Sequence, residues 1–256
     1  MDSKSQKNRE IIYGIHPVTE ALKSERRIFY EIYVVDDIVS KRHEKIKKLA
    51  FLKNIPLKRI SIKALNSITE TTMHQMVGAR VSPYPLSSLS DIIRNTKNTK
   101  KNSTLLLLDN IVDPHNFGAL VRTAVCAGVG GIIIPKDRSV KPLPTVSKVS
   151  AGAMEHILIA RVINIVNAIK LLKKEGFWVV GMDRQGDGSI YDCDLSCPVV
   201  IVIGGEEKGI RLLVKKNCDF LTYIPQIGQI DSLNASVAGG IVLYEAFRQK
   251  SCACCF

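Results

Sequence analysis

The hydrophobic and polar positions divide the chain into two α/β segments. Glu31-Ile32-Tyr33-Val34-Val35 has the apolar, β-branched character of a strand, and Val39 to Lys53 has the spacing of a basic amphipathic helix. Leu57 to Ile60 and Met76 to Val81 read as further strands, so residues 10–84 form a compact α/β unit behind a polar tail at 1–9. Pro83-Tyr84-Pro85 stops regular structure, and residues 94–103 contain no apolar side chain, so 85–103 reads as a basic linker. Beyond it, strands are predicted at 104–109, 131–134, 157–161, 177–182, 198–203 and 220–224, with helices at 116–128, 164–175, 209–217 and 234–249. This βαβ rhythm predicts a mostly parallel sheet with helices on both faces over 104–250, followed by a Cys-rich tail at 251–256.

Composition adds three points. Across the 256 residues the net charge is +12, and it is uneven: residues 1–101 carry 20 basic and 10 acidic side chains, the remainder 16 and 14. A polyanionic partner for the N-terminal portion is one reading of that excess, and a solvated basic surface is the other. The longest apolar runs, such as Leu105 to Leu108 and Val199 to Ile203, are too short to span a bilayer. The first nine residues have no apolar core of a signal peptide, so a cytoplasmic protein without membrane attachment is expected. Seven cysteines match no zinc-ribbon or finger spacing, and no metal site is expected; Cys126, on a helical pattern, reads as a small core residue.

The chemistry concentrates late in the chain. The apolar run Val199 to Ile203 enters Gly204-Gly205-Glu206-Glu207-Lys208-Gly209, and a second strand ends at Tyr223-Ile224-Pro225-Gln226-Ile227-Gly228. Asp231-Ser232-Leu233-Asn234-Ala235-Ser236 then opens a small-residue helix, with side chains suited to capping. Two strand-end loops and a helix start are the parts of a small-molecule pocket at the carboxyl edge of a parallel sheet. The first strand of this domain lacks the G-x-G-x-x-G loop of a dinucleotide site. It runs instead into Val112-Asp113-Pro114-His115-Asn116-Phe117-Gly118-Ala119-Leu120-Val121-Arg122, where Asn116 is placed to cap a helix and Arg122 lies within it. Taken singly, Asn116 is a cap and Arg122 a surface cation.

Together, Asn116 to Arg122, Ile203 to Gly209 and Ile224-Pro225 with Ser232-Leu233-Asn234 resemble, in order and spacing, the three motifs of the SpoU (TrmH-like) class of SPOUT RNA 2'-O-ribose methyltransferases. The likeness extends to Ile12-Tyr13-Gly14-Ile15-His16-Pro17-Val18, His74 to Val81, Pro135 to Ser139 and Glu245 to Gln249. Within the class this combination is most similar to bacterial enzymes that methylate a guanosine of 23S (large-subunit) rRNA.

The resemblance implies a C-terminal α/β domain tied in a deep trefoil knot, a smaller N-terminal domain of the RNA-binding L30e type, and a homodimer with active sites near its interface. It implies S-adenosyl-L-methionine as methyl donor, held by backbone groups of Gly204, Ile224 and Leu233, with Gly205 permitting close approach. It assigns catalysis to Arg122, Asn116, Glu206, Ser232 and Asn234. A guanidinium is a poor free base because its pKa exceeds about 12, so Arg122 is expected to clamp a phosphate and stabilise the developing alkoxide. Asn116 would orient Arg122 or the ribose, Glu206 would hold the glycine loop or position the substrate, and Ser232 and Asn234 would order the third motif. Glu207-Lys208 and Asp231 depart from the residue types common in the class, which alters the charge of those loops. Methylation of tRNA or another rRNA site, and a catalytically silent RNA-binding assembly factor, stay open at this level; retention of all five polar motif residues argues against the silent factor.

Overall fold

The structure is a computed structural model that describes residues 9–35, 41–98, 103–228 and 232–253. The start of the polar tail, the predicted helix start at Val39 and Ser40, linker residues 99–102, Asp231, and Cys254, Cys255 and Phe256 lie outside the described residues. The chain divides into two compact units. One comprises residues 1–85 with 142–156, the other 86–141 with 157–256.

The first unit is built on a four-stranded sheet: β1 (Glu10–Tyr13), β2 (Phe29–Val35), β3 (Leu57–Ile60) and β4 (Val77–Val81), in the order β1-β4-β2-β3. β4 pairs antiparallel with both β1 and β2, while β3 runs parallel to β2. Helices α1 (Ile15–Ser24), α2 (Lys41–Leu52) and α3 (Ile62–Thr69) connect them. Alternate strand residues Ile32, Val34, Val77, Ala79 and Val81 pack with Val18, Leu22 and Ile46 of the helices into one buried cluster. β1, α1 and α3 are elements the hydrophobic pattern leaves unassigned.

The short helix Pro144–Val149 and the 3₁₀ turn Ala153–His156 complete this unit, although more than half the chain separates them from its first strand. A buried ion pair ties them in. Arg27 Nε donates to Glu155 Oε2 at 2.8 Å with both side chains fully buried. Ser147 Oγ donates to Glu155 Oε1 at 3.0 Å, and Arg27 also reaches Glu10 Oε2 at 2.7 Å.

The second unit opens with α4 (Leu89–Asn98), so the linker predicted over 85–103 is corrected along that stretch. The reversal has a physical cause. Ser88 Oγ accepts from Asp91 N at 3.1 Å while Asp91 Oδ2 accepts from Ser88 N at 3.2 Å, a reciprocal capping box. Ile92, Ile93 and Thr96 then bury one face, and Arg94, Asn95, Lys97 and Asn98 are the solvent side of the same helix.

A seven-stranded sheet follows, formed by β5 (Thr104–Asp109), β6 (Gly131–Pro135), β7 (Ile159–Val162), β8 (Trp178–Met182), β9 (Gly188–Ser189), β10 (Val199–Gly204) and β11 (Phe220–Tyr223). Its order is β7-β6-β5-β10-β8-β11-β9, and every pairing is parallel. All of β5 and all but the last residue of β10 are buried, as expected for central strands covered on both faces. One face packs Leu105, Leu107, Val200 and Val202 with Ile92 of α4 and Ile169 and Leu172 of α6 (Ile165–Lys174). The other carries α5 (Pro114–Cys126) and α8 (Ala235–Ala253), which pack on each other, with α8 also against β10. α7 (Leu212–Lys215) adds Val214 to the first of these faces, and it starts later than predicted because Arg211 stays extended to bond Asp109. Cys126 is exposed, a second correction: α5 buries Phe117, Leu120, Val121 and Ala124, and its last residue turns away from that face.

Candidate active site

The carboxyl ends of β5, β8, β10 and β11 meet at one edge of the second unit. There the loop after β10 is folded tightly on itself. Gly205 N donates to Asp109 O at 2.9 Å and Gly209 N to Gly205 O at 2.8 Å. A Cβ on Gly204 would stand 2.1 Å from the Gly209 carbonyl carbon, and one on Gly205 2.4 Å from the Asn110 carbonyl oxygen, so both positions demand glycine. Asp109, fully buried, fixes the loop from below: its Oδ2 accepts from Arg211 N at 2.9 Å and its Oδ1 from Arg211 Nε at 2.8 Å.

Three of the residues carried over from the motif likeness form one hydrogen-bonded cluster. Asn116 Nδ2 donates to Glu206 Oε1 at 3.0 Å, and Asn234 Nδ2 donates to Asn116 Oδ1 at 2.9 Å and also to Glu206 Oε1. Asn234 is the cap of α8, with Oδ1 accepting from Ser236 N at 2.9 Å and Val237 N at 3.3 Å. Asn116, in contrast, is not the cap of α5. Asp113 takes that position, accepting from His115 N at 3.0 Å and Asn116 N at 3.2 Å, with Pro114 as the first helical residue. The Asn116 side chain is thereby free to face the glycine loop.

Beside this cluster lies a cavity of about 770 Å³, walled by Gly204, Gly205, Glu206, Ile224, Ser232 and Leu233. Its opposite wall, Met182, Asp183, Arg184, Gln185 and Lys215, is absent from the sequence-derived set. Nothing in the composition of that loop marks it. Its placement follows from strand order, because β8 neighbours β10 and its trailing loop must share the same edge. Lys215 and Asp183 pair across this wall. A second cavity, about 490 Å³, lies along the other side of the glycine loop and includes Asn110, Asn116, Arg138 and Lys208. Gly205, Glu206 and Glu207 line both. Arg122 lines neither; it is exposed on α5 and bonds no side chain among the described residues.

The larger cavity lies within the usual range for small-molecule sites and is rich in backbone, so it suits an extended cofactor. No cluster of three potential metal ligands occurs among the described residues. A parallel α/β domain with this glycine-walled cavity at its carboxyl edge is the framework of a small-ligand-binding α/β domain. The chain belongs to the SpoU rRNA Methylase family, which matches residues 103–244, and residues 11–87 match the RNA 2'-O ribose methyltransferase substrate binding domain. It is 39% identical to a protein of Staphylococcus saprophyticus assigned to the TrmH family of tRNA/rRNA methyltransferases, over 94% of this chain and 96% of that protein. It is 38% identical to the 23S rRNA (guanosine-2'-O-)-methyltransferase RlmB of Shewanella oneidensis, over 95% of this chain and 99% of that enzyme. The AdoMet-bound rRNA methyltransferase of Sinorhizobium meliloti superposes with a TM-score of 0.78 at 26% identity, covering 96% of this chain and 89% of that one.

Proposed function

We propose that this protein transfers a methyl group from S-adenosyl-L-methionine to the ribose 2'-hydroxyl of a guanosine in 23S rRNA. The observation that carries the reading is the meeting of the three motif segments: Asn116, Glu206 and Asn234 are hydrogen-bonded into one cluster, and Glu206 borders the larger cavity. When bound there, the cofactor supplies an electrophilic methyl group on a sulfonium. Gly204 and Gly205 let its backbone-lined seat form, and Ile224 and Leu233 border it. Glu206, held by two amide side chains and the Ala235 N–H at 3.4 Å, fixes the loop against the start of α8. Ser232 borders the cavity on the segment leading into that helix. Holding the two reactants in line contributes heavily to such a transfer, and a rigid lip serves that purpose. Arg122 clamps the substrate phosphate and stabilises the developing alkoxide.

The same reading includes a trefoil knot, an L30e-type RNA-binding role for the N-terminal unit, a homodimer and a cytoplasmic location. The knot is supported by the SpoU family match over residues 103–244. The RNA role is supported by the substrate-binding match and the basic N-terminal sequence. The dimer is supported by an exposed apolar stripe on α8, Val237, Tyr244 and Phe247. No described helix is long and apolar enough to cross a membrane.

Ribose-methylation mapping of rRNA and tRNA from cells with and without the protein tests the reading. Loss of one 23S guanosine modification is expected. Loss confined to tRNA would replace the substrate, and unchanged methylation throughout would remove the activity.

A further inference from the structure

The methyl donor and the acceptor hydroxyl must approach across a common wall, and the two cavities share one. Gly205, Glu206 and Glu207 border both, so a nucleotide in the smaller cavity would lie against the donor in the larger. The polar groups of the smaller cavity sort into committed and uncommitted ones. Asp113 is committed to capping α5, and Asn116 and Glu206 to each other. Arg138 and Lys208 are exposed cations with no ion pair among the described residues, and Glu207 is an exposed carboxylate with no partner there. Asn110 holds a left-handed conformation at φ 61°, and its Oδ1 is buried without a donor. Arg138, at φ 56°, is likewise held in a backbone conformation that few non-glycine residues adopt, a form of strain that clusters at functional sites.

Resting on the function proposed above, we infer that the smaller cavity seats the target guanosine, with Arg138 and Lys208 on its phosphate and Glu207 reading its base. Two cations suit a phosphate, and the Arg138 guanidinium offers a bidentate fork. The unfilled groups that remain are acceptors, Glu207 and Asn110, and they call for N–H donors. Guanine presents two adjacent donors, N1–H and the N2 amino group, which match the two oxygens of a carboxylate.

Full-length Arg138→Gln, Lys208→Gln and Glu207→Gln proteins test this against a 23S rRNA transcript carrying the modified site and its guanosine-to-inosine counterpart. For each lysine or arginine variant the RNA KM is expected to rise about 10-fold or more, since hydrogen bonds to charged groups carry that much. The slope of log affinity against log salt should fall by about 1 for each, a change that a merely structural role would not produce. Glu207→Gln should lower kcat/KM on guanosine about 10- to 100-fold and shrink the preference over inosine, both measured at saturating cofactor. Unchanged KM and salt slope in both cation variants, or unchanged base preference in Glu207→Gln, would overturn the assignment while leaving wild-type methylation intact. A wild-type protein that methylates no transcript would instead overturn the functional reading beneath it.

Discussion

Asn116 and Glu206, 90 positions apart in the chain, share a 3.0 Å hydrogen bond that joins the first turn of α5 to the glycine loop after β10. Asn234 closes the triangle from the start of α8. One carboxylate oxygen thus coordinates three elements that have no sequence contact.

The cluster should behave as a unit. Asn116→Ala and Glu206→Ala are each expected to lower methyl transfer, and the double variant to fall well short of the product of the two losses. A coupling energy of about 0.5–3 kcal/mol is the ordinary range for residues in one hydrogen-bond network, with the lower half expected here because the group is solvent-exposed. Single-turnover rates across the four proteins of the cycle measure it. Strict additivity would mean that the two side chains act independently.

The Arg27–Glu155 pair makes a stability prediction for the first unit. Both side chains are fully buried, and without Glu155 the Arg27 guanidinium keeps only Glu10 as its carboxylate partner. Glu155→Ala is expected to cost about 1.5–3 kcal/mol, read from the shift in urea midpoint at constant slope. Arg27→Met with Glu155→Leu should recover part of that loss, because an apolar pair removes the desolvation penalty along with the attraction. A shift below about 1 kcal/mol for Glu155→Ala would mean that solvent reaches the pair.

What could be read from the sequence follows from how local each determinant is. β5 and β10 are covered on both faces, so Leu105 to Leu108 and Val199 to Ile203 appear as unbroken apolar runs, and their limits are visible directly. α4 was hidden because its last turn is wholly polar; only the Ser88–Asp91 box and the Ile92–Ile93 face disclose it. The grouping of 142–156 with the first unit depends on a pairing between Arg27 and Glu155 that no local pattern encodes. At the site, Asn116, Glu206 and Asn234 were identifiable as residues, but their convergence was not. The Met182 to Gln185 wall is fixed by β8 lying beside β10, which is a property of strand order alone.

Lys250 carries a pH prediction. Its ammonium donates to Ser103 Oγ at 2.8 Å and Thr104 Oγ1 at 2.7 Å, and burial pushes its pKa down to about 8 against the weaker upward pull of Cys197 and Asp194. An unfolded lysine titrates near about 10.4. Between about pH 8 and about pH 10.4 the unfolded chain therefore binds more protons at this site than the folded one. Stability contributed by the group must then rise with pH across that window, and below about pH 8 the penalty for charging it is fully present. Urea midpoints of wild type and Lys250→Met from pH 7 to 10.5 isolate the effect. Their difference should move in favour of wild type as pH rises, and a pH-independent difference would place the ammonium in ordinary solvent contact.

Arg122 tests the mechanism most directly, because the single chain leaves it exposed and outside both cavities. As a phosphate clamp and transition-state donor, its replacement by alanine should cut methyl transfer about 10²–10³-fold, with cofactor affinity nearly unchanged. Arg122→Lys should rescue poorly, since an ammonium cannot reproduce the planar fork. In the proposed homodimer a second subunit would deliver Arg122 to the site, and mixing separates the two arrangements. If Arg122 of one protomer serves the site containing Glu206 of the other, a heterodimer of Arg122→Ala and Glu206→Ala chains holds one site with both groups intact. Activity should then return when the two inactive proteins are co-refolded. If both groups act within one chain, each protomer keeps a defective site and the mixture stays inactive. Near-wild-type turnover in Arg122→Ala alone would remove the residue from catalysis altogether.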